Sequence, residues 1–409
     1  LALIYAIRTS STVAARLCLT AVLLSTVALP AFSAPRMLVD VETGEVLQHE
    51  EAFKRWYPAS LTKLMTAYVA FRAIESGDLE ITSPVTLSAK AAAEPPSKMY
   101  YGEGATMTLD TALKIIMVKS ANDVAAAIGE SVAGNRRDFI ERMNSEARRL
   151  GMSDTHFINP HGLPGEGQYT TARDMAVLAR ALKRDFPQYG SYFSIEAIET
   201  GDNIYPNYNM LIGRYPGADG MKTGFICSAG FNQVSSAHRG DRSVISVVFG
   251  AESLADRAEQ SARLLEEGLS GEATGSGVKL MDLEPYGENR TVVADLREEI
   301  CSPEAAQTRA EGRDDDGDLI LNSKYILPLE RELEPVAVAL GGTDGRVAAI
   351  EVDMPIPTPR PRLVELEESP EVSETAELVA SETETTTVST TDGLRPSLDV
   401  PLPSPRPSL

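Results

Sequence analysis

An α+β protein, with an antiparallel sheet covered by helices, is the fold class this sequence predicts. Three observations predict it. Strand-like runs stand at both ends of the first 270 residues, and helical runs fill the middle. The apolar pattern changes from helical to strand-like after the last of those helical runs. The chain has 409 residues and is 43% hydrophobic, enough for a sizeable core and for one large domain with additions.

The first segment reads as an export signal. Arg8 and Arg16 give a positive start, and Leu17 to Leu29 ("LCLTAVLLSTVAL") is an apolar run short for a membrane span. "LPAFSAP" then offers small residues for cleavage after Ser33 or nearby, so residues 1–33 are assigned to the signal. An uncleaved anchor is the alternative.

"RMLVDVETGEVLQHE" reads as a hairpin, Met37 to Val41 and Val46 to His49 about a Glu-Thr-Gly turn. "SLTKLMTAYVAFRAIESG" has helical apolar spacing, begins just after Pro58 and stops at Gly77. Leu109 to Val118 is a second helix with Thr108 as its cap. "ANDVAAAIGESVAG" and "RRDFIERMNSEARRLG" are helices closed by glycine, and "TTARDMAVLARALKRD" is one capped by Thr170 or Thr171. "GMKTGFI", "GFNQVSSAH" and "RSVISVVFGA" are strands, with "HRGDR" turning between the last two. "SLADRAEQSARLLEEGL" closes this catalytic-sized region, residues 34–270, as a helix. The strands at the two ends are expected to share one sheet.

Residues 271–350 form a C-terminal extension of weaker pattern. "RTVVADL", "LILNSKYIL" and "VAVALGG" are its strand-like runs, as for a small β appendage. "RDDDGDLILNS" is no EF-hand: with Gly317 at the turn, Gly312 and Ser323 fall on the first and last ligand slots. Residues 351–409 hold 12 Asp/Glu against 4 Arg and 10 of the 25 prolines, with no aromatic residue. Such a stretch cannot bury enough apolar surface to offset its ordering entropy, so disorder is expected. "MPIPTPRPRL" and "VPLPSPRPSL" have the look of polyproline-II spacers or of docking segments for a protein partner; a passive linker is the alternative.

The net charge of −21 makes nucleic acid a poor partner. The histidines His49, His156, His161 and His238 have no zinc-ligand spacing, so no metal and no cofactor is expected. Neither a G-x-S-x-G elbow nor a Walker loop is present. Beyond the signal the chain keeps Cys227 and Cys301, an even pair in an oxidising compartment, which suggests a disulfide; two buried free thiols are the alternative.

The chemistry begins at "YPASLTKLMTAY". Ser60 and Lys63 lie one helical turn apart, and Lys63 sits among Leu61, Leu64 and Met65. A serine hydroxyl is a weak nucleophile until a base takes its proton. A lysine serves as that base only when neutral, and burial or a second cation favours the neutral amine. A surface lysine beside a capping serine is the bland alternative. Two further motifs follow in order: Ser120-Ala121-Asn122 between two helices, and Lys222-Thr223-Gly224 on a strand. S-x-x-K, S-x-N and K-T-G together, in that order and on those elements, make the serine acyl-transferase set.

The chain resembles the low-molecular-mass penicillin-binding proteins, the serine-type D-alanyl-D-alanine carboxypeptidases of the S11 peptidase family. The resemblance runs from about Arg36 to Leu269 and includes "VKSANDVAAAIGE", "THFINPHGL", "GQYTTARDMAVLARAL", "DGMKTGF" and "AGFNQVSSA". It implies the penicillin-binding/β-lactamase transpeptidase fold, a five-stranded antiparallel sheet between helical clusters. It implies Ser60 as nucleophile on the penultimate D-Ala carbonyl, Lys63 as base and Ser120 as proton relay. Asn122 would hold the substrate amide, Lys222 would add charge near Lys63, and Thr223 would bind the terminal carboxylate. Gly224 would admit the substrate backbone, the N–H groups of Ser60 and Phe225 would form the oxyanion hole, and Arg257 would orient the carboxylate.

The implied activity is periplasmic release of the terminal D-Ala from peptidoglycan stem pentapeptides, inhibited covalently by β-lactams. Cleavage of crosslinks by the same residues is the alternative. A β-lactamase would need a separate glutamate for deacylation, and Glu166 lies in the relevant stretch without the E-x-x-L-N context. A dead peptidoglycan-binding scaffold would have no use for five intact polar site residues. Many relatives continue into a β-domain and an amphipathic anchor; "LDVPLPSPRPSL" lacks an apolar helical face, so no C-terminal membrane anchor is expected.

Overall fold

The structure, a computed structural model, describes residues 34–311, 313, 319–321 and 323–342. The export signal and the acidic tail lie outside the described residues, as does most of the "RDDDGDLILNS" loop.

Five strands form the central antiparallel sheet: β1 (Arg36–Asp40), β2 (Val46–Glu50), β7 (Ala218–Ile226), β8 (Gly230–Arg239) and β9 (Arg242–Ala251). Their order is β2-β1-β9-β8-β7, so the N-terminal hairpin joins the C-terminal strands through the β1–β9 pair. Gly230 to Ala237 of β8 and Val244 to Phe249 of β9 are buried without alternation, which means both sheet faces are covered. The helices against them are α6 (Ala172–Asp185) and α7 (Leu254–Ser270). α7 comes close enough that a β-carbon at Gly268 would meet Val244 at 3.1 Å and Leu38 at 3.3 Å.

The helical part is built on α1 (Thr62–Glu75), buried on every side from Thr62 to Phe71. Such a helix has no solvent face and acts as a core rod. Around it stand α3 (Leu109–Val118), α4 (Asn122–Ala133) and α5 (Arg136–Arg149), with a single turn α2 (Ala89–Ala92). The expected caps at Thr108 and Thr171 are present, their side chains accepting from the N–H groups of Thr111 and Asp174, and Ser253 adds a further cap by accepting from Asp256 N–H.

Several short elements carried no readable sequence pattern. β3 (Pro84–Thr86) pairs with β4 (Thr106–Thr108), and β5 (Ala197–Thr200) pairs with β6 (Asn203–Pro206). Runs of three or four residues are too short to display a period.

The strand expectation for 271–350 needs correction. Among the described residues of the three strand-like runs, the one strand is Pro335–Ala337 (β10), overlapping the start of the third, and it joins β5 in parallel. "RTVVADL" is turn and coil, and its Val292 is 60% exposed. This segment instead spends its backbone groups on the body it follows. Val46 N–H donates to Val278 O, Leu280 N–H to Gly44 O, Leu296 N–H to Ser228 O and Leu327 N–H to Arg214 O. Two helices interrupt it, α8 (Arg297–Cys301) and α9 (Pro303–Glu311), and Cys301 is disulfide-bonded to Cys227 just past β7.

Candidate active site

Ser60 lies in a 3-10 turn, Ala59–Leu61, that leads into α1. Ala59 has φ +47, unusual for a residue with a β-carbon. Two glycines hold the turn in place by lacking side chains. At Gly162 (φ +93) a β-carbon would stand 1.7 Å from Ala59 O; at Gly224 it would stand 3.0 Å from Ser60 N. Gly224 thus brings strand β7 against the Ser60 backbone.

Lys63 is fully buried on the first turn of α1. Its Nζ lies 3.1 Å from Ser60 Oγ, 2.8 Å from Asn122 Oδ1 and 2.8 Å from His161 O. A neutral amine has two N–H groups and one lone pair. The two carbonyl oxygens can take the two N–H groups, which leaves the lone pair for the Ser60 hydroxyl. Burial and the nearby Lys222 ammonium push the Lys63 amine well below the ordinary lysine range, against Asp123 and Glu94, which act to raise it.

Ser120 and Asn122 come from the junction of α3 and α4. Ser120 has φ +61, and its buried Oγ has no hydrogen-bond partner among the described residues. A strained residue carrying an orphaned hydroxyl on a cleft wall is a functional signature. Asn122 is fixed from both ends: its N–H donates to Ser97 O, and Nδ2 donates to Pro95 O. Its Oδ1 is thereby aimed at Lys63. The neighbouring Asp123 carboxylate accepts from the N–H groups of Met99 and Tyr100 and so holds the 95–100 loop.

Strand β7 ends the sheet and presents Lys222, Thr223, Gly224 and Phe225. Lys222 is 1% exposed and donates to Thr223 O at 3.0 Å. Burial, then the Arg257 guanidinium, bring its pKa down to about 7. Arg257, on α7, is 2% exposed and donates to Tyr208 O at 3.0 Å. Burial lowers its pKa, yet a guanidinium keeps its proton. Phe225 packs on Phe231 with ring centroids 4.2 Å apart.

One cleft is lined by Ser60, Ser120, Asn122, Thr223, Gly224, Phe225 and Arg257. Lys63 and Lys222 lie buried behind its wall. Every site residue singled out in the sequence is at or beside this cleft except the cysteine pair, which sits past the end of β7. Glu166 is exposed and does not line it. Among the described residues no cluster of metal-ligating side chains occurs, and no helix is long and apolar enough to cross a membrane.

Three contributors were not legible in the sequence. Glu94 meets His161 Nε2 at 3.2 Å and Arg136 at 2.5 Å. His161 Nδ1 accepts from Leu163 N–H, so Nε2 carries the proton given to Glu94. Burial holds this imidazole below its usual pKa despite Glu94, which makes it a neutral brace for the carbonyl that grips Lys63. Pro95 and Ser97 hold Asn122 through backbone oxygens, which no motif can report.

The family model of the D-alanyl-D-alanine carboxypeptidases, peptidase S11, matches residues 25–253. The chain is 34% identical over 238 residues to D-alanyl-D-alanine carboxypeptidase DacF of Bacillus subtilis, covering 57% of this chain and 61% of that protein. It is 36% identical over 239 residues to DacD of Escherichia coli, covering 57% and 62%. The chain therefore spans about six tenths of the length of these curated relatives. Among solved structures it is similar to penicillin-binding protein D2 from Listeria monocytogenes in its cefotaxime-bound form. That similarity has a TM-score of 0.52 and 30% identity, over 58% of this chain and 96% of that one.

Proposed function

The chain belongs to the S11 peptidase family of D-alanyl-D-alanine carboxypeptidases, and from that premise we propose that it releases the terminal D-Ala of peptidoglycan stem peptides through an acyl-enzyme on Ser60. Its fold is that of the penicillin-binding proteins. The observation that carries the proposal is the sealed Lys63 amine 3.1 Å from the Ser60 hydroxyl, with its two N–H groups already committed elsewhere.

In the first half-reaction Ser60 Oγ attacks the carbonyl of the penultimate D-Ala while its proton passes to Lys63 Nζ. The developing oxyanion faces the N–H groups of Ser60 and Phe225, and the close approach of Gly224 to Ser60 N supports this. The C–N bond then breaks. The leaving amine takes a proton through the Ser120 hydroxyl, which has no competing protein partner. Asn122 holds the substrate amide, and Thr223 with Arg257 receives the free carboxylate of the leaving residue. Water then attacks the ester with Lys63 again as base, and Ser60 recovers its proton. A β-lactam carries an acylating carbonyl and a carboxylate of matching placement, which supports covalent inhibition at the same serine.

We place the enzyme outside the cytoplasmic membrane, from the export signal read at residues 1–33 and from a substrate class that lies there. The proline-rich tail is assigned no part in the chemistry.

The test is covalent labelling by a fluorescent penicillin, followed by D-Ala release from a pentapeptide and from a crosslinked dimer. Labelling with release from the pentapeptide supports the proposal. Release only from the dimer would make the enzyme an endopeptidase. Rapid turnover of the penicillin without D-Ala release would make it a β-lactamase.

A further inference from the structure

The active-site cleft has a wall that the catalytic motifs do not supply. Ala306 and Arg309 of α9 line it together with Ser60, Thr223 and Arg257. α9 belongs to the segment after the disulfide. Cys301 anchors that segment to Cys227, and Leu296 N–H donates to Ser228 O just beyond β7. Ile300 is buried in the core beneath it.

Arg309 and Arg257 converge on one aromatic ring. Each guanidinium lies 5.9 Å from the centroid of Phe231, which itself packs on Phe225. Both are held by a backbone carbonyl rather than by an acid: Arg257 by Tyr208 O and Arg309 by Ile300 O. Neither forms an ion pair with a carboxylate among the described residues. Burial lowers the pKa of each, and among the described residues no acidic side chain opposes it. In a chain of net charge −21, two guanidinium groups on one cleft wall without a carboxylate partner are a site prepared for an anion.

Building on the reading of the cleft as a D,D-peptidase site, we propose that Arg309 is a specificity-determining residue which, with Arg257, binds the free carboxylate of the leaving D-amino acid. The disulfide-anchored segment thus completes the substrate site of the domain it follows. Its consequence is a preference for leaving groups that end in a carboxylate over neutral ones.

The experiment compares full-length wild type, Arg309→Gln and Arg309→Lys on two acyl donors. One is an acyl-D-Ala-D-Ala peptide with a free carboxylate. The other is an acyl-D-alanyl thioester with a neutral leaving group, reactive enough to be turned over without a carboxylate anchor. Arg309→Gln is expected to lower kcat/KM for the peptide about tenfold, consistent with loss of one charge-assisted hydrogen bond, and to leave the thioester within about twofold. Arg309→Lys is expected to recover part of the loss, since it keeps the charge but not the planar fork. Equal loss on both donors would mean that Arg309 only props the fold; no loss on either would mean that it does not meet the substrate. Both results overturn the proposal. A wild type that binds penicillin and releases D-Ala while Arg309→Gln is silent overturns this inference alone. A wild type that does neither overturns the functional reading and this inference with it.

Discussion

Gly162 faces the carbonyl oxygen of Ala59 so closely that a β-carbon at Gly162 would stand 1.7 Å from it. Residue 162 follows the carbonyl that grips Lys63, and residue 59 precedes Ser60. The Ser60 turn and the carbonyl that holds Lys63 are therefore mutually positioned through a contact only glycine permits. Gly162→Ala is expected to cost about 2 to 4 kcal/mol of stability, from strain at positive φ and from the displaced backbone. It should also greatly slow acylation. Gly77→Ala, with φ +78 but open space around it, is the control and should cost about 1 kcal/mol. Urea unfolding of both variants checks this; equal costs would show that the Ala59 turn relaxes freely.

Ser60→Ala should abolish covalent penicillin labelling and lower D-Ala release by about 10⁴-fold or more, as removal of a nucleophile does elsewhere. The turn is set by Ala59, Gly162 and Gly224 rather than by the hydroxyl, so the thermal midpoint should barely move. Labelling that persists in this variant assigns the nucleophile to another residue.

Lys63→Arg keeps a cation but removes the base, because a guanidinium does not give up its proton at working pH. Acylation should fall at least about 10²-fold, the usual scale of a general base. In the wild type the rate of penicillin acylation should rise with pH as Lys63 deprotonates, and that rise should lie well below the ordinary lysine range. A near-normal rate in Lys63→Arg would mean that some other group takes the serine proton.

Lys222 holds its proton to about pH 7 when folded and to about 10.5 when unfolded. Between those values the unfolded chain binds more protons, so stability rises with pH across that window. Below about pH 7 the buried ammonium is present in full and its burden on the fold is greatest. Lys222→Met removes this dependence. Its stability relative to wild type should be highest below pH 7 and should decline toward pH 10. Chemical denaturation at three pH values measures the difference, and a pH-independent difference would refute the burial argument.

The Cys227–Cys301 bond closes a loop across 74 positions of sequence. Cys301→Ser should destabilise the protein by about 2 to 4 kcal/mol, the common range for a disulfide. Two free thiols titrated in oxidised, denatured wild type would show that the bond does not form.

The sequence by itself determined the elements whose pattern is long enough to read. The helices at 62–75, 109–118 and 254–270 and the strands at 218–251 are apolar-rich runs of nine or more positions bounded by Ser, Thr, Gly or Pro punctuation, which marks them as elements in the chain itself. It also determined the three motifs, because the spacing of Ser60 and Lys63 on one helix is a local matter. Tertiary structure alone decided what makes that spacing chemical. Lys63 meets Asn122 and the His161 carbonyl across 59 and 98 positions of chain, and Lys222 lowers its pKa from a strand folded in from the far side. The path of the described residues after 270 was decided there too. That segment has too little apolar pattern to form its own sheet, so its bonds go to neighbours that only the folded body provides. Arg309 is the clearest case: nothing in "EAAQTRAEG" marks it, and its charge gains meaning only where α9 sets it beside Phe231 and Arg257.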